Sequence, residues 1–173
     1  DLTDEQRQGI ILESVVNPWY FVRECGRIPH QGTTGIPFML HRANLASLYL
    51  FFNNVDNYLT IPRQKGKTVA AVTGTLWAYL LGTSNSQIMY INKDLEAAND
   101  NLQKLKEYRD SLPEYMRSKE AIDTEGNIIK GRDNVKSITN PINKNSIVTK
   151  PSARSIEAAS KIGRGNSQPI QYF

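Results

Sequence analysis

Between residues 57 and 173, short stretches suited to β-strands alternate with longer stretches patterned as helices, and this alternation leaves few folds open. Residues 57–61 form a first strand candidate. Residues 67–81 then carry Val69, Val72, Leu76, Tyr79 and Leu80 at helical spacing. Gln-Ile-Met-Tyr-Ile-Asn at 87–92 reads as a second strand. A long helix from about 95 to 111 follows, with Leu95, Ala98, Leu102 and Leu105 along one side. Residues 146–149 and 170–173 supply further strands, with a helical turn at 154–161 between them. Strands separated by helices predict an α/β fold, a mainly parallel sheet with helices on both faces.

The first 56 residues read as a helical segment. Thr3 can cap a helix reaching about Val16, and Asn17-Pro18 opens a second. A third is expected over 42–53, where Leu45, Leu48, Tyr49 and Phe52 recur at helical spacing. Residues 119–145 differ from the rest: Glu125-Gly126-Asn127, Gly131 and Asn140-Pro141 break them into hairpin-like pieces, read as a surface insert.

Composition limits the class of protein. Of the 173 residues, 39% are hydrophobic and 22% charged, an ordinary globular balance. No apolar run approaches the roughly 18 residues that cross a bilayer. The single cysteine, Cys25, cannot form an internal disulfide, which suits a reducing cytoplasm. The net charge of +4 is unevenly spread: residues 1–60 hold 4 Lys/Arg against 6 Asp/Glu, and the remainder is basic. Such a surplus permits contact with phosphates and does not by itself require it.

The chemistry concentrates at Thr60-Ile61-Pro62-Arg63-Gln64-Lys65-Gly66-Lys67-Thr68, between a predicted strand and a predicted helix. In a phosphate-binding loop, backbone N–H groups of the turn and the helix start face the phosphate oxygens. Gly66 would allow close approach of the backbone, Lys67 would place its charge on the β- and γ-phosphates, and Thr68 would offer its hydroxyl to Mg²⁺. The usual pattern has Gly six residues before the Lys, where this chain has Ile61. Gly-Lys-Thr alone equally suits an exposed turn that caps the next helix.

Arg63-Gln64-Lys65-Gly66-Lys67-Thr68 resembles the variant Walker A of tailed-phage terminase large subunits, which lacks the leading Gly. Asn17-Pro18-x-Tyr20-Phe21, Gly35-Ile36-Pro37-Phe38 and Leu76-Trp77-Ala78-Tyr79 resemble segments of that family's ATPase domain, in the same order. Residues 155–167, with Arg164-Gly165, resemble the stretch leading into its Walker B strand. The resemblance implies a P-loop NTPase fold of the RecA/ASCE type. Residues 1–56 would form the adenine-side segment and residues 57–173 the ATPase core, incomplete at the C-terminal end. Residues 170–173 would be the Walker B strand, its Asp-Glu pair falling just beyond them. A nuclease domain would be absent, and these residues would bind ATP yet hydrolyse it negligibly.

The resemblance also assigns roles. Pro62, Arg63, Gln64, Lys65, Gly66, Lys67 and Thr68 would hold ATP and Mg²⁺, with Arg63 reaching the γ-phosphate as an arginine finger and Lys67 beside it. Asn44 stands where the family has an adenine-reading Gln, and a structural role at its helix start fits equally. Arg164 would sense the γ-phosphate or a neighbouring subunit, or touch DNA, unless it is a plain basic turn residue. Glu157, Asp133 and Asp123 lie in the wrong context for the catalytic acids. Expected partners are double-stranded DNA, a portal protein, a small terminase subunit and further copies in a ring, at the procapsid portal in the host cytoplasm, with no membrane. Two other classes fit the residues: another P-loop enzyme such as a superfamily 2 helicase, and a non-enzymatic basic module that binds nucleic acid.

Overall fold

A computed structural model describes residues 2–29, 35–56, 58, 60, 62, 65–152 and, as backbone, 170–172. The chain divides into two compact units, one of Asp1–Gly82 with Glu107–Arg117, the other of Thr83–Lys106 with Ser118–Phe173.

The first unit is helical. Helix α1 (Asp4–Val16) opens with a capping box: Gln6 N–H donates to Thr3 Oγ1 at 3.3 Å while Thr3 N–H donates to Gln6 Oε1 at 2.9 Å. Asn17 Oδ1 accepts from Tyr20 N–H, and Pro18 opens the short α2 (Pro18–Tyr20). The chain then widens into a π-turn, Phe21–Cys25, that buries Phe21, Val22 and Cys25. Two short strands, β1 (Arg27–Ile28) and β2 (Ile36–Pro37), pair antiparallel before α3 (Arg42–Phe52). Helix α4 (Lys67–Trp77) ends in a second π-turn, Ala78–Gly82.

Helices α3 and α4 lie side by side and point the same way. Asn44 meets Gly66 at their N-terminal ends, and Leu48 and Phe51 press on Gly74 midway, where a Cβ would sit 3.2 Å from the Phe51 ring. At the far end the Phe52 ring stands edge-on to Trp77, with centroids 5.1 Å apart, and to Trp19 at 5.2 Å. Trp77 Nε1–H donates to the Ser14 carbonyl at 2.8 Å, tying α4 to α1. Leu48, Val72, Leu76 and Tyr79 fill the space beneath.

The second unit is built on a five-stranded sheet in the order β6-β7-β8-β3-β9. Strand β3 (Gln87–Asn92) lies between β8 (Ser146–Pro151) and β9 (Ile170–Tyr172), and both run parallel to it. Helix α5 (Leu95–Ser111) begins just after β3, and the Thr149 hydroxyl donates to Asn99 Oδ1 at 2.8 Å, fixing α5 to β8. Buried Asn145 donates to the Thr83 carbonyl and accepts from Ser86 N–H, holding the chain where β3 starts.

The sheet is mixed, which corrects the expectation of a mainly parallel one. Strand β7 (Ser137–Thr139) is antiparallel to β8, and β6 (Asp133–Asn134) is antiparallel to β7. The causes are local: Asn134 Oδ1 accepts from the N–H groups of Lys136 and Ser137 at the β6–β7 turn, and Asn140 Oδ1 accepts from those of Ile142 and Asn143 between β7 and β8. Two of the four short strands within the expected insert at 119–145 therefore belong to the sheet. Only β4 (Glu120–Ile122) and β5 (Ile128–Lys130) form a separate hairpin, with Ile122 and Ile128 exposed. Of the strand expected at 57–61, Tyr58 and Thr60 take no strand conformation, and the other positions lie outside the described residues. The helical turn expected at 154–161 lies outside them as well. Among the described residues no helix is long and apolar enough to cross a membrane.

Ile147 is fully buried in β8, in the middle of this sheet. Ile147→Ala is expected to cost roughly 2–5 kcal/mol, whereas Ile128→Ala on the exposed hairpin should change stability by less than about 0.5 kcal/mol. Urea midpoints of the two variants check the contrast.

Candidate functional site

Helix α4 starts at a residue that must be glycine for two separate reasons. Gly66 is its N-cap, with φ +70° and ψ 16°, in the left-handed region that side-chain-bearing residues avoid. A Cβ there would also sit 3.0 Å from Nδ2 of Asn44. The Gly66 carbonyl accepts from Ala70 N–H at 3.0 Å, so the helical ladder begins at once. Lys67 and Thr68 fall in the first turn, and both are exposed.

The N–H groups of a first helical turn have no carbonyl partner within their own helix, and the helix dipole adds partial positive charge there. Carboxylates in the first turn offset that charge in α1, through Asp4 and Glu5, and Glu96 does so in α5. Neither α3 nor α4 has an acidic residue in its first turn. Their parallel packing sets these two uncompensated ends next to each other, with exposed Arg42 and Lys67 beside them. The arrangement can attract and hydrogen-bond an anion.

Of the loop residues singled out from the sequence, Pro62, Lys65, Gly66, Lys67 and Thr68 are described; Arg63, Gln64 and also Arg164 lie outside the described residues. Pro62 and Lys65 are exposed. At the start of α4, Gly66 leaves the backbone uncovered, Lys67 brings a charge and Thr68 a hydroxyl.

Asn44 sits in the first turn of α3, on the side that meets α4. It does not cap its own helix, since His41 is the N-cap of α3. It is 1% exposed, with neither Nδ2 nor Oδ1 hydrogen-bonded to any described group. An unpaired buried polar group typically costs about 1–3 kcal/mol. Its position could not be found from sequence, because the contact with Gly66 joins residues 22 apart through helix packing.

Two of the three acidic residues set aside from the sequence, Asp123 and Asp133, make structural contacts. Asp123 Oδ1 accepts from the N–H groups of Glu125 and Asn127, and Oδ2 from Asn127 Nδ2–H, closing the β4–β5 turn. The bonds from the Asn127 backbone and side chain hold its carboxyl below the usual carboxylate range. Asp133 pairs with Lys106 Nζ at 2.6 Å. Glu157 lies outside the described residues. Among the described residues no group of three His, Cys, Asp or Glu could hold a metal ion. Cys25 is buried beside Ser14, and burial pushes its thiol pKa up, so thiolate chemistry is disfavoured.

No protein-family model matches the chain, and no curated protein matches its sequence.

Gly66→Ala is expected to lose about 1–2 kcal/mol from backbone strain alone. Gly9→Ala in α1, where a Cβ meets open space, should be neutral or stabilising. Thermal melts of the pair check this. Asp123 favours its ionised form in the folded hairpin, so its stabilising effect is present above the usual carboxylate pKa of about 3.9 and is lost as pH falls through its lowered value. An NMR titration of the Asn127 amide should show a midpoint below that reference.

Proposed function

We propose that the turn at the start of α4 is a phosphate-binding loop, and that the chain is the ATP-binding part of a P-loop ATPase of the terminase large-subunit type. The observation that carries this reading is Gly66: left-handed, at the N-cap of an eleven-residue helix, followed directly by exposed Lys67 and Thr68. A helix-capping turn explains the glycine. A phosphate-binding loop also accounts for a lysine, rather than a carboxylate, in the first turn, where the helix dipole by itself favours a carboxylate.

In this reading Lys67 holds the β- and γ-phosphates, and Arg63 adds charge at the γ-phosphate as phosphoryl transfer proceeds. Backbone N–H groups from Gln64 to Thr68 take the remaining oxygens, and Pro62 shapes the approach to the loop. The Thr68 hydroxyl is the residue that would hold Mg²⁺, which when bound screens the phosphate charge. Arg164 would sense the γ-phosphate or a neighbouring subunit, or touch DNA phosphates. Parallel pairing of β3 with β8 and β9 within one sheet suits the strand–helix–strand order of such ATPases. The parent motor would draw double-stranded DNA through a portal into a procapsid, working with a small terminase subunit and as a ring of copies.

ATP with Mg²⁺ at about 100 times its dissociation constant should stabilise the protein by roughly 2.7 kcal/mol. Lys67→Ala should abolish most of that shift while leaving the ligand-free melting temperature within about 2 °C, because Lys67 is exposed. A wild type indifferent to ATP, or a Lys67→Ala protein that responds as the wild type does, would sink the reading. The measurement is differential scanning fluorimetry.

A further inference from the structure

Asn44 is the buried polar side chain that the free protein leaves unused at this turn. Its carboxamide is 1% exposed and has no hydrogen bond to any described group, yet it lies against the Cα of Gly66 at the mouth of α4. It is not there through loose packing. Leu48 and Phe51, on the same helix, seat α3 against Gly74, and the Phe52–Trp77 contact fixes the far end. The first turn of α3 therefore has little freedom to carry the amide elsewhere.

From this geometry we infer that Asn44 is a positioning residue of the phosphate loop, whose carboxamide completes its hydrogen bonds with the loop backbone around Gly66 when a polyphosphate is bound. The role rests on the phosphate-loop reading of α4. A carboxamide has the chemistry for it, because it offers the same donor and acceptor as a peptide group and can meet either face of a turning backbone. Being neutral, it does not oppose the phosphate charge, as a carboxylate in that place would. An adenine-reading role fits the burial less well. A base edge would have to reach an amide that lies beneath the N-cap glycine, whereas the phosphates come to that N-cap directly.

Asn44→Leu keeps the side-chain size and removes both polar atoms, and it separates the possibilities when ATP, GTP and inorganic tripolyphosphate are each titrated by calorimetry. The expected result has two parts. The ligand-free protein melts about 2–4 °C higher, since an unpaired buried amide has been replaced by an apolar group. Affinity for all three ligands falls by a similar factor, about tenfold. Unchanged tripolyphosphate affinity overturns the inference, and if ATP alone weakens, Asn44 reads the base instead. A lowered ligand-free melting temperature also overturns it, because the amide would then be satisfied before any ligand arrives. Asn44→Asp, equal in size, provides a second arm should the leucine variant not fold: tripolyphosphate affinity must drop further than for leucine-scale loss, and wild-type affinity would again overturn the proposal. Failure of the wild type to bind tripolyphosphate, or equal binding by Lys67→Ala, would remove the phosphate loop itself and the role of Asn44 with it. That result differs from a wild type that binds while the Asn44 variants match it.

Discussion

The close approach of α3 and α4 at Gly74 is the contact on which the first unit depends. Without a side chain there, the Leu48 and Phe51 side chains reach the α4 backbone, and the two helices align in register. Trp77 then finds both the Phe52 ring edge and the Ser14 carbonyl. These contacts are remote from Gly66, yet they decide which residue of α3 stands beside it. Parallel packing has an electrostatic cost, since like helix ends are brought together. Here the cost falls where Arg42 and Lys67 already concentrate positive charge, so an anion at that end would relieve it.

The second unit obeys a different constraint. Its three parallel strands are held in register by backbone pairing, but buried asparagines and the Thr149–Asn99 bond decide where each segment enters and leaves. Asn145 meets two backbone groups that would otherwise be unpaired inside the fold, and Asn134 reverses the chain at the sheet edge. The Asn145 and Asn134 side chains thus act as backbone substitutes, each satisfied by what it holds. Asn44 differs from them in having no such partner among the described residues.

Much of the regular structure was legible from the sequence. The capping box at Thr3 and the run of Ala98, Leu102 and Leu105 gave α1 and α5, because capping and helical periodicity are local signals. Strand β3 was legible as a compact run rich in apolar residues. The edge strands were not, since strands of two or three residues are too short to show an alternating period, and their direction came from asparagine turns at Asn134 and Asn140. The π-turns escaped for a related reason: one extra residue per turn leaves no mark on composition. At the site, Gly66 and the start of α4 could be read because a glycine before Lys-Thr at a helix start is a local pattern. The placement of Asn44 could not. It follows from helix-on-helix packing, which no spacing within α3 encodes.

The hairpin β4–β5 shares no strand with the main sheet, so its pairing is indifferent to what the sheet does. Residues could be gained or lost near Gly126 through evolutionary drift with little structural penalty. The neighbouring connection from β7 to β8 enjoys no such licence. One residue inserted within either strand would turn Ile138 or Ile147 from the interior to the opposite side of the pleat. Related chains should therefore vary in length around the hairpin and hold their spacing rigidly a dozen residues later.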